Sequence, residues 1–126
     1  MVSFRDIQNA FTEGSSYEKA VFNAQEVLDL MLLNRLENDD EVTLPSTLRK
    51  SEVPISASPE VAAPALLHIV RMNSQRSMAD VARSMGVPYQ TYQRMESGKN
   101  LTMKSLKKAA SALGSIVEIR LRKASA

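Results

Sequence analysis

Proline holds φ near about −65° and has no backbone N–H, so closely spaced prolines break a chain into separate segments. Four of the five prolines here, Pro45, Pro54, Pro59 and Pro64, fall between positions 45 and 64, where Ser and Thr are also frequent. The stretch 47–58 therefore reads as an extended linker, with a short strand near Glu52–Ser56. It separates an N-terminal module over 1–46 from a C-terminal one over 59–126. Charge divides at the same place. Residues 1–57 carry five basic groups against ten acids, a net −5, whereas residues 58–126 carry eleven against four, a net +7. The formal net charge of +2 is thus a cancellation. Opposite signs on two halves suggest different partners, with the basic half a candidate for nucleic acid. Two solvated faces that attract each other account for the charge equally well.

The inventory excludes whole classes of chemistry. With no cysteine there are no disulfides, thiolate metal sites or cysteine nucleophiles. A single histidine, His68, removes His-pair metal motifs and leaves one candidate base. It lies in Leu66-Leu67-His68-Ile69-Val70 and reads as a packed or helix-surface histidine, not a catalytic one. No apolar run approaches the roughly 20 residues that span a bilayer. The start Met1-Val2-Ser3-Phe4-Arg5-Asp6 lacks the layout of a secretory signal. A cytoplasmic, non-enzymatic protein with no cofactor, no metal and no membrane association is expected.

Ahead of the linker, Val2–Ile7 alternates apolar and polar residues, and Phe11–Gly14 suggests a second short strand and turn. Ser15, with Glu18 three residues on, predicts the capping box of a helix running to Arg35. Tyr17, Ala20, Val21, Ala24, Leu28 and Met31 share one face of that helix. Phe22, Leu30 and Leu33 lie off it, so the helix packs on two sides or contributes to an interface. The cluster Glu37-Asn38-Asp39-Asp40-Glu41 matches no EF-hand spacing and reads as a solvated loop. Val42-Thr43-Leu44 suggests a brief strand.

The second half predicts four short helices, about 59–73, 78–85, 89–97 and 103–113. Gly86, Gly98 and Gly114 sit where helices stop, and Ser77 and Thr102 are N-caps. A closing strand over Ile116–Arg122 is expected, with Val117, Ile119 and Leu121 on one side and Glu118, Arg120 and Arg122 on the other. This strand and the one near Val53–Ile55 are expected to pair with each other or across a two-fold. Met72, Met78, Met85, Met95 and Met103 read as core filler, Met78 being the one with a case for exposure.

Within Met78–Met95, small Ala82 is followed four residues later by Gly86, and Val81, Met85, Val87, Tyr92 and Met95 supply facing apolar side chains. Two steeply crossing helices need that small residue and that turn. The pattern, with its continuation Arg94-Met95-Glu96-Ser97-Gly98-Lys99, resembles the helix-turn-helix of Xre/Cro-type repressors. Two positions depart from that likeness: Met78 stands where glutamine is frequent, and Pro88 replaces a capping residue. In such a motif the second helix enters the major groove. Tyr89, Gln90, Gln93 and Arg94 are then the candidate base contacts. Gln90 suits adenine N6 and N7, and Arg94 suits guanine O6 and N7. Ser77, Lys99, Asn100, Thr102 and Lys104 are candidate phosphate contacts on double-stranded operator DNA. Tyr92 is assigned to packing, with a hydroxyl contact to phosphate as the minor alternative.

Taken whole, the order Phe4-Arg5-Asp6-Ile7, Thr12-Glu13-Gly14, the helix from Ser15 and Leu44-Pro45-Ser46, followed by that motif, resembles the HicB family of antitoxins. The resemblance implies an α+β fold class: a small N-terminal partial RNase H-like α+β domain, then an all-α helix-turn-helix domain with a closing C-terminal strand. The family pattern has a further strand ahead of Phe4–Ile7, so a smaller sheet, a strand from another chain or a longer N-terminus is expected. The resemblance also implies a HicA-like ribonuclease toxin as partner, neutralised by direct binding, and repression of the chain's own operon as a homodimer or higher even oligomer. Asp6, Glu13 and Glu18 are the candidate acidic surface for that toxin. Asp6 is the only acid in a suitable strand context, so RNase H catalysis, which needs converging carboxylates, is not expected. The alternative reading is a stand-alone Xre-type repressor whose N-terminal domain senses a ligand or dimerises.

Overall fold

A computed structural model of the chain describes residues 2–3, 11–12, 16–42 and 56–123. In chain order the elements are β1 (Val2–Ser3), β2 (Phe11–Thr12), α1 (Tyr17–Glu37), α2 (Pro59–Asn73), α3 (Met78–Met85), α4 (Tyr89–Glu96) and α5 (Met103–Ala112).

The expected α+β class is overturned, because among the described residues five helices carry the architecture. Among the described residues extended pairing comprises two residues on each side, Val2 opposite Thr12 and Ser3 opposite Phe11. A ladder that short has no face with which to build a core, so the partial RNase H-like sheet is absent from the described fold. The closing strand is corrected as well, since 115–123 follow α5 without forming a strand. Alternation sets which side chains share a face, but a strand also needs a partner for its backbone groups. The strand near Glu52–Ser56 as far as Ile55, most of the linker, Leu44-Pro45-Ser46, the whole of Phe4–Ile7 and Glu13-Gly14 lie outside the described residues.

α1 begins one residue later than its sequence pattern suggests. Ser16 is the N-cap, its hydroxyl accepting from the Lys19 N–H at 3.2 Å. Glu18 therefore falls at N2 and cannot complete a capping box with it. Ala24 and Leu36 are buried and Ala20, Val21, Leu28 and Met31 half-buried, while Tyr17, Phe22 and Leu30 stand exposed.

α2 starts where α1 supplies its cap. The Asp29 carboxylate accepts from the Ser58 N–H at 2.9 Å and from its hydroxyl at 2.6 Å, and Gln25 donates to the Ser56 carbonyl at 2.9 Å. Ser58 thus spends its hydroxyl on α1, and Pro59 at the first helical position needs no donor. Pro64 lies inside the helix and is buried, so α2 continues through the last proline of the cluster with one backbone bond missing.

The C-terminal core is one cluster of Leu67, Met78, Val81, Ala82, Tyr92, Met95 and Ala109, edged by Met85, Val87, Leu101, Leu106 and Leu113. Met78 is buried, whereas Met72 and Met103, read as core filler, are exposed. Their positions 72 and 103 fall at a helix's last turn and first residue, outside the packed faces.

Candidate nucleic-acid interface

α3 and α4 form the two-helix unit that the Ala82–Gly86 spacing predicts. Ser77 caps α3 by accepting from the Asp80 N–H at 3.1 Å. Gly86 ends α3 at φ 70°, a left-handed value that glycine adopts without a Cβ penalty. Buried Ala82 sits where α3 and α4 pack together, and Tyr92 and Met95 turn inward from α4. Pro88 opens α4 with φ −60° and ψ 150° and no side-chain cap.

With Tyr92, Met95 and Glu96 buried, the opposite side of α4 presents Tyr89, Gln90, Gln93 and Arg94 to solvent, with Thr91 at its edge. Among the described residues none of the four candidate base-contact side chains is held in an intramolecular hydrogen bond or ion pair. The side chains around them differ. The Ser77 hydroxyl is committed as a cap, and Thr102 shares a reciprocal capping box with Ser105 at the start of α5. Asn100 is exposed in a left-handed turn at φ 56°, and Lys104 is exposed. Lys99 reaches back to Glu37 at the end of α1, 3.3 Å away. Glu18 is exposed in the first turn of α1, whereas Asp6 and Glu13 lie outside the described residues. Tyr92 is wholly buried, which removes its hydroxyl from any phosphate contact.

Behind α4 lies an ionic cluster that the sequence reading did not anticipate. Glu96 and His68 are both 0% exposed, and Arg71 is nearly so. Glu96 accepts from Arg71 Nε and Nη2 and lies 2.8 Å from His68 Nδ1. Arg71 Nη2 also donates to Asp39 at 2.8 Å, and its Nη1 donates to the Arg76 carbonyl at 3.0 Å. His68 Nε2 lies 2.9 Å from the Asp40 carbonyl. Both ring nitrogens thus face acceptors, the Glu96 carboxylate on one side and the Asp40 carbonyl on the other. The Arg71 guanidinium lies between the two carboxylates and pairs with both.

Burial by itself would raise the Glu96 carboxyl, but His68 and Arg71 outweigh it and hold it below the usual carboxylate range. Burial likewise opposes the charge on Arg71, which Glu96 and Asp39 more than restore, so its guanidinium stays protonated. The Tyr92 phenol is pushed well above its ordinary value, by burial first and by the adjacent Glu96 charge. Its hydroxyl lies close to Glu96 without the geometry of a hydrogen bond.

The cluster revises the reading of the acidic stretch 37–41. Its residues are exposed, yet Asp39, at φ 52°, turns the chain so that its carboxylate and the next carbonyl close over His68 and Arg71. One sequence signal was available. Glu96 ends a helix, where the dipole disfavours an acid, and only buried cations make that position favourable. Asp39, His68 and Glu96 also bring three potential metal-ligand atoms within 4.8 Å of one another. Arg71 donates to both carboxylates, so the positive charge a metal would bring is already supplied. Arg76 is a second residue missed from sequence. It donates to the Ala112 carbonyl at 2.6 Å, to the Asp80 carbonyl at 3.2 Å and to the Ser84 hydroxyl, tying α3 to the end of α5.

Residues 67–119 match the protein family described as helix-turn-helix, a span from within α2 to past α5. Over 119 residues the chain is 33% identical to "Antitoxin HicB 2" of Photorhabdus laumondii subsp. laumondii, covering 94% of this chain and 84% of that protein. It is 30% identical over 115 residues to "Antitoxin HicB" of Escherichia coli K12, covering 90% and 83% respectively. The same figures hold for the protein of that name in Escherichia coli O157:H7.

Proposed function

The chain belongs to the HicB antitoxin family, and from that premise we propose that it neutralises a small RNA-cleaving toxin by direct binding and represses its own operon. It is an antitoxin with a DNA-binding helix-turn-helix, and it acts by binding and not by catalysis. The observation that carries the DNA reading is the outward face of α4, where four polar side chains stand exposed over a rigid buried base. In this reading Tyr89, Gln90, Gln93 and Arg94 read base edges in the major groove. Ser77, Lys99, Asn100, Thr102 and Lys104 neutralise or bond phosphates on either side. A homodimer would set two copies of α4 about 34 Å apart on a palindromic site. The N-terminal module, acidic overall, takes the toxin, with Asp6, Glu13 and Glu18 on the docking surface. An antitoxin is expected to act from the cytoplasm, and no described helix is long and apolar enough to cross a membrane.

Two measurements test the reading. Fluorescence anisotropy with the DNA upstream of the gene should give tighter binding than an unrelated duplex, and equal affinities would defeat the operator assignment. Co-expression with an adjacent small basic reading frame should restore growth and yield a co-purifying complex. Failure to restore growth or to co-purify, with operator preference intact, would leave the stand-alone repressor.

A further inference from the structure

The end of α1 lies against the loop 97–100 that leaves α4, and it meets that loop at a candidate phosphate contact. Gly98 turns the loop at φ 83°, and a Cβ built there would stand 3.4 Å from Leu33 Cδ2 on α1. The next residue, Lys99, is fixed at its backbone, its N–H donating to the Arg94 carbonyl at 2.8 Å. Its side chain donates through Nζ to Glu37 Oε1 at 3.3 Å. Glu37 is the last residue of α1, where the helix dipole disfavours an acid and favours a cation. Lys99 is therefore drawn by the carboxylate and by the negative end of the helix together. Among the described residues, Glu37 is the acid paired with a candidate DNA contact, whereas Asp39 in the same stretch pairs with Arg71.

We propose that Glu37 is a built-in competitor for the DNA backbone: in the free chain its carboxylate holds the Lys99 ammonium, and a phosphate must displace it before Lys99 joins the contacts to DNA. This exchange rests on the reading of Lys99 as a phosphate contact given above. A carboxylate and a phosphate offer an ammonium the same kind of anionic oxygen. Lysine carries a compact charge on a flexible stem, so the exchange needs only rotation of its side chain, with the backbone of 97–100 unmoved. Both partners are more than half exposed, at 57% and 58%, so the pair is weak enough to be displaced by DNA. A pair of that kind changes an equilibrium by at most about fivefold. Exchange also alters the ionic balance. A free ammonium that binds a phosphate releases a condensed counterion. An ammonium taken from Glu37 leaves a bare carboxylate that recruits a cation from solution and offsets part of that release. The end of α1 thereby lowers affinity for every duplex alike and makes binding less sensitive to salt.

Anisotropy titrations of the full chain, on the upstream DNA and on an unrelated duplex, read the exchange when repeated over a range of salt concentrations. Glu37→Gln is expected to tighten both duplexes about two- to fivefold at low salt and to steepen the salt dependence. Glu41→Gln removes an equal charge from the same exposed stretch and controls for general repulsion, so its effect should be clearly smaller. On a Lys99→Ala background the gain from Glu37→Gln should shrink to the size of the Glu41→Gln effect. A Glu37→Gln gain no larger than that of Glu41→Gln, or one that persists in full without Lys99, would overturn the proposal. Lys99→Ala binding as tightly as wild type would overturn it too, by removing Lys99 from the phosphate contacts. Equal affinities for the two duplexes would instead strike operator recognition, leaving the exchange at Lys99 to be decided on the unrelated duplex.

Discussion

Replacing Glu96 with glutamine isolates the buried ionic cluster from the packing around it. The side chain is fully buried between His68 and Arg71, so the substitution removes the anion while keeping nearly the same volume and one acceptor oxygen. Removing one partner of a buried pair typically costs about 3–5 kcal/mol, because the other charge is left uncompensated. No cavity forms and one acceptor survives, so Glu96→Gln is expected at the lower end, about 3 kcal/mol. With a urea slope of about 1–1.5 kcal/mol per molar, the unfolding midpoint followed by circular dichroism should fall by about 2–3 M. Asp39→Asn provides the internal contrast. Its carboxylate is half-exposed and pairs with Arg71 at the surface, so its loss should cost less than about 1 kcal/mol. Arg71→Gln combined with Glu96→Gln should cost clearly less than the two singles added together. A Glu96→Gln midpoint no lower than that of Asp39→Asn would refute the view that the cluster fastens α4 to α2.

The same cluster sets an acid limit. Glu96 is held below its usual value of 4.5, so its ionised form stabilises the fold in full above that pH. That stability is lost as pH falls through the lower folded value, and Glu96→Gln should flatten the wild-type decline in urea midpoint under acid conditions. Gly98 sits at φ 83° with open space limited by Leu33 Cδ2, 3.4 Å from where a Cβ would stand. Gly98→Ala should cost about 1–2 kcal/mol for the left-handed backbone, and an unchanged melting curve would contradict that assignment. For DNA binding, Arg94→Ala should weaken the operator by about 1–3 kcal/mol and relax its specificity. Lys99→Ala should weaken all duplexes alike and reduce the salt slope by about 1. Indistinguishable effects of the two on matched and unrelated DNA would argue against the groove assignment.

Local signals were strong enough to place the helices without tertiary information. Ser77 and Thr102 as caps, Gly86 as a left-handed stop and Pro88 with its fixed φ act within a few residues, so their consequences are visible in one dimension. The apolar spacing from Val81 to Met95 likewise carried the crossing of α3 and α4, and with it the outward set Tyr89, Gln90, Gln93 and Arg94. Strand expectations fared worse for a physical reason. The alternation at Val117–Arg122 is real, but one copy of the chain offers it no described partner, and a period alone cannot supply one.

By itself, then, the sequence determined to within a residue or two where helices begin and end, which face of α4 is apolar, and that the charge changes sign near a proline-rich stretch. Only the tertiary structure decided what lies behind that face. Asp39, His68, Arg71 and Glu96 come from three separate places in the chain, and no periodicity links them. An acidic loop and a lone histidine each looked solvated or inert because the cost of burying a charge depends on its neighbours in space. Folding brings Arg71 and His68 to the carboxylates of Asp39 and Glu96 and so turns part of an acidic surface stretch into the fastening beneath α4.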